Sequence, residues 1–292
     1  MAIQLGCALI TWRRFPDFSP ERALAEIARA GYAGAPVPFL PEWDTSHARA
    51  VFERVALKHA PGYYGGRFWR ADLRGALLED ARRWAAFSTT LGLTEMFVAP
   101  WVGDYATPRG DRKAVAGRLG GLAGARIQPD DLARFADALN AFGAATLAEG
   151  VRACFHNHAG SAIEHEEEVE ALLAATDPAL VFLGPDAGHL AFAGADPVAF
   201  ARRHAGRILA AHVKDIDLGV RARGVAEGWD YDTFERNGLF TELGEGGVDV
   251  AGFVNALTSS GFSGWLIVET DTTRKPSAFD SALANRRFFL AR

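Results

Sequence analysis

The stretch ALVFLGPD (residues 179–186) runs apolar without a break, meets a glycine and a proline, and ends on a carboxylate. A strand with one face in water alternates apolar and polar residues, whereas a strand covered on both faces does not. This run therefore reads as a strand of a parallel sheet buried on both sides. Working outward, RILAAHVKD (207–215) and GWLIVETD (264–271) repeat the pattern downstream. Upstream, VRACFHNH (151–158) and TEMFVAP (94–100) do the same, and earlier strands are expected at 54–60, 33–39 and 3–10.

Amphipathic segments separate these runs. In SPERALAEIARAGY (19–32), Ser19 is placed to cap a helix, Pro20 sits at its first position and Gly31 stops it. Further helices are expected at 72–91, 129–149, 166–175 and 277–289. Parallel strands need crossover connections, usually helical. Eight strands with helical matter after most of them predict an α/β fold, a (β/α)8 TIM barrel forming one domain over residues 1–292. An open doubly wound sheet is the alternative. A length of 292 residues suits such a barrel. The glycine-rich stretch AGRLGGLAGARIQPD (116–130) lacks GxxxxGK[ST] and GxGxxG spacing and reads as a mobile loop, not a phosphate cradle.

Composition excludes several functions. With 31 basic and 36 acidic residues the net charge is -5, which gives no general basic field for nucleic acid. No run approaches the roughly 20 apolar residues of a membrane helix. The start lacks the charged region and small-residue cleavage site of a signal peptide. Cys7 and Cys154 lie far apart and read as reduced and buried. A cytoplasmic protein is expected.

The strand ends carry the chemistry. Strand five ends in His156 and His158, strand six in Asp186 and His189, strand seven in His212 and Lys214, and strand eight in Glu269 and Asp271. In an α/β barrel these ends open onto one face, where active sites form. Mixed imidazole and carboxylate donors suit one divalent metal ion, Mn, Co, Zn, Fe or Mg. Each residue alone has a plainer reading: Asp186 as a helix cap, Glu269 as half of an ion pair, a strand-end histidine as a hydrogen-bonded group. The run Glu166 to Glu168 reads as carboxylates favoured by a helix N-terminus. Loops add pocket candidates. Trp12 and Trp101 are expected as apolar walls for a sugar face. Tyr63, Tyr64 and Arg67 suit hydroxyl or anion recognition, and Glu245 is a polar contributor after strand seven.

The segments FHNHAGSAIE (155–164), GPDAGHLAFAGADP (184–197), RILAAHVKDID (207–217), FTELGEGGVD (240–249) and GFSGWLIVETD (261–271) carry a resemblance. In order and spacing the chain resembles the xylose isomerase-like barrel superfamily of sugar isomerases, epimerases and endonuclease-IV-type proteins, and within it the inosose dehydratase branch. The resemblance covers nearly the whole chain. It implies a metal site on His156, Asp186, His212 and Glu269. The superfamily usually has a glutamate where His156 stands, so His158 or Glu164 are alternative strand-five ligands. His189 matches a second-metal ligand of the endonuclease relatives and is expected here to contact substrate. Where the family often carries Gly-x-Glu after strand two, this chain has Ala35 and Pro36.

The expected activity is that of a metal-dependent lyase or isomerase. It abstracts the α-proton of a keto-polyol or keto-sugar, in the manner of an inosose dehydratase. His158 or Glu164 is the expected base, His189 the acid for a departing hydroxyl, and Lys214 a substrate contact. A sugar isomerase or epimerase is one alternative and a non-catalytic sugar-binding barrel another. The expected partner is a small polyol or sugar, with no nucleic acid or membrane, and a homo-oligomer is left open.

Overall fold

The computed structural model describes residues 3–118 and 124–291. In chain order its elements are β1 (Gln4–Cys7), α1 (Pro20–Arg29), β2 (Gly34–Pro36), α2 (Thr45–Arg54), β3 (Lys58–Ala60), β4 (Tyr63–Gly66), α3 (Arg74–Thr90), β5 (Glu95–Pro100), β6 (Ala106–Thr107), β7 (Gly110–Asp111), α4 (Pro129–Ala148) and β8 (Arg152–Phe155). There follow α5 (Glu166–Ala174), β9 (Val181–Leu183), α6 (Ala187–Ala193), α7 (Pro197–His204), β10 (Ala210–Val213), β11 (Asp215–Ile216), α8 (Leu218–Glu227), α9 (Tyr231–Arg236), β12 (Phe240–Thr241), α10 (Val250–Ser259), β13 (Trp265–Val268) and α11 (Ala278–Leu290).

The barrel strands pair in parallel in two arcs, β10-β13-β1-β2-β3 and β4-β5-β8-β9. Bridges from Leu183 to Ile208 and from Asp186 to His212 join the arcs on one side. On the other side only the last three residues of the expected third strand, 54–60, are strand, and a second short strand that was not expected follows them. Lys58–Ala60 pairs with β2, Pro61 and Gly62 break the ladder, and Tyr63–Gly66 pairs with β5. Proline has no N–H for the ladder. The same rule shortens β2 to three residues, because Pro36 and Pro38 fall inside the expected strand. The start of the expected third strand instead ends helix α2, and Ala56 takes φ 56° at the turn.

Ser19 caps α1 as expected, its Oγ accepting from the Arg22 N–H at 3.1 Å. The main core lies between strands and helices, while a smaller cluster of Ala8, Ala60, Phe97, Ala210, Trp265 and Ile267 fills the barrel interior. Gly34 makes room there, since a Cβ would lie 2.6 Å from the Trp265 ring and 2.5 Å from the Lys58 carbonyl. Both cysteines are free and buried. Among the described residues no helix is long and apolar enough to cross a membrane. The glycine-rich stretch 116–130 falls partly on residues 119–123, which lie outside the described residues.

Candidate active site and metal centre

The strand ends converge as the barrel requires. β8 delivers His156 and His158, and the end of β9 delivers Asp186. β10 carries His212 and leads into Lys214, and β13 leads into Glu269 and Asp271. Asp186 does two things. Its Oδ1 accepts the His189 N–H at 2.9 Å and so caps α6, while its buried Oδ2 has no hydrogen-bond partner. Asn157 holds the Asp186 backbone, its Oδ1 accepting the Asp186 N–H at 3.0 Å. His212 Nδ1 lies 2.6 Å from Glu269 Oε2 and 3.9 Å from Asp186 Oδ2, yet neither ring nitrogen makes an aligned hydrogen bond. His212 and Glu269 thus face each other as an ion-pair contact whose geometry falls short of an aligned hydrogen bond.

Ligand atoms of Asp186, His212 and Glu269 lie within 4.8 Å of one another, and so do those of His156, Asp186 and His189. His156 packs its ring 4.6 Å from that of His212 and its Nδ1 donates to the Gly184 carbonyl at 3.2 Å. That bond fixes the ring and leaves Nε2 as a lone pair. Orphaned oxygen and nitrogen atoms at the shared point fit a divalent cation.

Lys214 sits at the centre of the charge. Its side chain is fully buried, with Nζ 3.2 Å from Asp186 Oδ2, 2.9 Å from Glu269 Oε1, 3.1 Å from Asp271 Oδ2 and 3.0 Å from His189 Nε2. Burial opposes its charge, but the three carboxylates hold the ammonium well above its ordinary pKa. Its stem needs Gly188, where a Cβ would meet Lys214 Cγ at 2.6 Å. Burial raises Glu269, but Lys214 and His212 outweigh it and hold that carboxyl well below its usual range. Burial, reinforced by the Glu269 charge, pushes Asp271 well above. Of the two carboxyls, Asp271 therefore binds its proton the more tightly.

A cavity of about 430 Å³ opens over these groups. His158, His212, Glu269, Asp271, Tyr63 and Tyr231 form its polar side. His158 Nδ1 donates to the Ala159 carbonyl at 2.7 Å, which leaves Nε2 as a lone pair. Burial, and then the Lys214 charge, lower its pKa to about 4, so the imidazole is neutral at pH 7.

Other sequence-based expectations require correction. Among the described residues the cavity lining includes none of Trp12, Tyr64, Arg67, Trp101, Glu164, His189, Lys214 or Glu245. Trp12 is buried in the main core, its indole N–H donating to Glu26 at 2.7 Å. Tyr64 stacks on Phe142 at 5.1 Å and its hydroxyl donates to Asp80 at 2.9 Å. Side chains alternate along a strand, so the neighbouring Tyr63 faces inward, 5.2 Å from the His156 ring. Arg67 pairs with Asp104 and covers the exposed Trp101 ring at 4.7 Å. Glu245 pairs at the surface with Lys275 at 2.7 Å. His189 is wholly buried beneath Lys214 and held well below its ordinary pKa by burial and by His158. A neutral, enclosed imidazole is no proton donor to a departing hydroxyl. Tyr231 and Asp271 take up cavity positions that sequence reasoning did not assign. The signal for Asp271 was its spacing of two residues from Glu269 on one strand end. Tyr231 lies on an excursion without periodicity to place it.

Glu164 is a structural group. Its Oε1 accepts the Gly117 N–H at 2.8 Å and its Oε2 the Gly160 N–H at 2.6 Å, tying two loops together. Burial outweighs the Arg112 charge and raises its pKa from 4.5 to about 7. A carboxyl that binds its proton more tightly when folded contributes stability below its unfolded pKa and loses it as pH rises through its folded one. Between pH 5 and 8 the unfolding free energy of Glu164→Gln, measured by urea titration, should therefore fall less steeply than the parent's. The difference in slope reaches about 1.4 kcal/mol per pH unit. Equal slopes would show that Glu164 keeps an ordinary pKa.

Known proteins bear on this arrangement. The family model described as xylose isomerase-like TIM barrel matches residues 24–289. The rhizopine catabolism protein MocC of Rhizobium meliloti is 30% identical over 281 residues, covering 93% of this chain and 82% of that protein. The inosose dehydratase of Geobacillus kaustophilus is 27% identical over 277 residues, 92% of this chain and 87% of its own. Among solved structures, an L-ribulose 3-epimerase superposes with a TM-score of 0.73 at 18% identity, covering 100% of this chain and 94% of that one.

Proposed function

Because this chain belongs to the xylose isomerase-like TIM barrel family, we propose that it is an enzyme that removes the proton α to the carbonyl of a keto-polyol or keto-sugar, with dehydration of an inosose-like substrate as the leading outcome. The observation that carries this reading is one cavity wall holding a neutral base, His158, and a carboxyl of raised proton affinity, Asp271, beside a metal-capable set. Similarity to a protein named inosose dehydratase supports dehydration. A divalent cation held by Asp186, His212 and Glu269, with His156 beside them, would supply Lewis-acid polarisation of the substrate carbonyl.

The chain's own residues supply the proton chemistry. His158 Nε2 takes the α-proton, which requires hydrogen-bond reach and a neutral ring. The Lys214 ammonium, enclosed behind the cavity wall, positions Glu269 and Asp271 and keeps Glu269 ionised. In dehydration Asp271 protonates the β-hydroxyl as its C–O bond breaks, so the substrate loses one water. In isomerisation or epimerisation, the second reading, the proton on His158 returns to carbon and no hydroxyl leaves.

Both routes exchange the α-proton with solvent. Metal-reconstituted protein in heavy water should place deuterium into, or eliminate water from, at least one of a panel of keto-inositols, ketohexoses and 3-keto-glycosides, followed by NMR. Silence across that panel with metal bound would refute the reading.

A further inference from the structure

The cavity has a second wall of different character. Opposite the ionisable groups, the loops after β1 and β2 present Ile10, Phe18, Val37, Phe39 and Leu40, with Pro36 and Pro38 between them. Arg13 and Arg14 of the loop after β1 and Glu235 also line the cavity, Arg14 paired with Glu235 at 2.7 Å, while the apolar stretch itself offers no free backbone donor at Ala8, Pro36, Val37 or Pro38. Pro36 and Pro38 have no N–H, the Val37 N–H donates to the Ala60 carbonyl at 3.2 Å, and the Ala8 N–H donates to the Val268 carbonyl at 2.9 Å. Phe39 is held in place by stacking on Trp84 at 4.6 Å, with Gly62 beneath it, where a Cβ would lie 2.5 Å from the ring.

A ligand carrying hydroxyls on every carbon would press some of them against this wall without partners. Each buried hydroxyl left unpaired is penalised as a lost hydrogen bond. An alkyl or aryl group there loses nothing and gains from leaving water. The cavity volume, about 430 Å³, lies within the range of about 300–1,000 Å³ found for sites of drug-sized ligands.

We propose that the substrate is a keto-polyol bearing an apolar substituent, an alkyl or aryl ether or glycoside, remote from its reacting carbonyl and seated on Ile10, Phe18, Val37, Phe39 and Leu40. This rests on the reading of the polar side as the reacting end. The polar side fixes the carbonyl end, and the apolar wall selects what is attached at the other.

The test compares methyl and butyl 3-keto-glycosides on the metal-reconstituted full chain. Dissociation constants come from calorimetry and α-proton exchange from NMR in heavy water. Three added methylenes at about fourfold each predict that the butyl compound binds on the order of fiftyfold more tightly. The ratio should fall toward one in Phe18→Ser/Leu40→Ser, with circular dichroism showing that the variant is folded. Equal affinities for the two glycosides, or binding of neither, would overturn the proposal. A fiftyfold ratio without exchange would keep it while refuting the catalytic reading. Exchange with a ratio near one would do the reverse.

Discussion

Asp186→Asn should abolish metal binding and α-proton exchange while leaving the fold intact. The substitution is chosen because the two oxygens of Asp186 have separate duties. Asparagine keeps a carbonyl oxygen to accept the His189 N–H at the start of α6, so the cap survives. What it loses is the charged Oδ2, which is buried without a hydrogen-bond partner and lies 3.9 Å from His212 Nδ1 and 3.2 Å from Lys214 Nζ. An amide NH2 there presents protons where a lone pair is needed. Disturbing an outer partner of a metal ligand already weakens binding about 10–100-fold. Removing a ligand should exceed that, and exchange should fall by about 10³-fold or more, as when electrostatic stabilisation of a developing charge is lost. His212→Ala should behave in the same way. Metal content after reconstitution and dialysis is the first readout and exchange in heavy water the second. Parental metal content in both variants would show that the site has been placed on the wrong residues.

Arg112→Met should lower the unfolding free energy by about 3–5 kcal/mol, the usual consequence of stranding one partner of a buried ion pair. Arg112 has no exposed surface, and its guanidinium donates to both Glu168 oxygens at 2.8 Å. The Glu168 carboxylate also accepts the Ile127 N–H at 2.8 Å and the Glu164 and His165 N–H groups at 3.0 Å. One carboxylate thus joins the segment before α4 to the loop that carries His158 and to the start of α5. With the cation gone, a buried charge keeps three dipoles but no counterion. The Arg112→Met/Glu168→Gln variant removes both charges and retains an acceptor, so its loss should be smaller than the sum of the single losses. Urea unfolding at pH 7 of the parent, both single variants and the double variant measures the coupling. A single-variant loss under about 1 kcal/mol would show that the pair contributes no more than one at the surface.

The second substitution marks a boundary in what could be read from the chain. The run Glu166 to Glu168 was expected at a helix start, and it is there. That its third member would be buried against an arginine 56 residues upstream was not legible, because no local pattern encodes that pairing. The third strand shows the same division. Its expected span ended at Ala60, and the residues beyond Pro61 and Gly62 were read as loop, yet Tyr63–Gly66 is the piece that pairs with β5 while Lys58–Ala60 pairs with β2. Trp12, Trp101, Tyr64, Arg67 and Glu245 were judged by type and loop position alone. Whether a side chain enters a barrel mouth depends on register and on what its neighbours already bond.

The sequence by itself determined the α/β barrel, since apolar runs of strand length alternating with amphipathic segments leave few other ways to cover both faces of a sheet. It also determined the donors at the strand ends, because a closed barrel brings every strand's C-terminal end to one face whatever the loops do. Only the tertiary structure decided how those donors divide their work. One oxygen of Asp186 caps a helix and the other turns to the ion pair with Lys214. Lys214 balances three carboxylates, and Glu164 holds loops instead of protons. Those roles arise from distances of a few ångströms between residues far apart in the chain, and charge, burial and hydrogen-bond satisfaction are properties of such neighbourhoods, not of single residues.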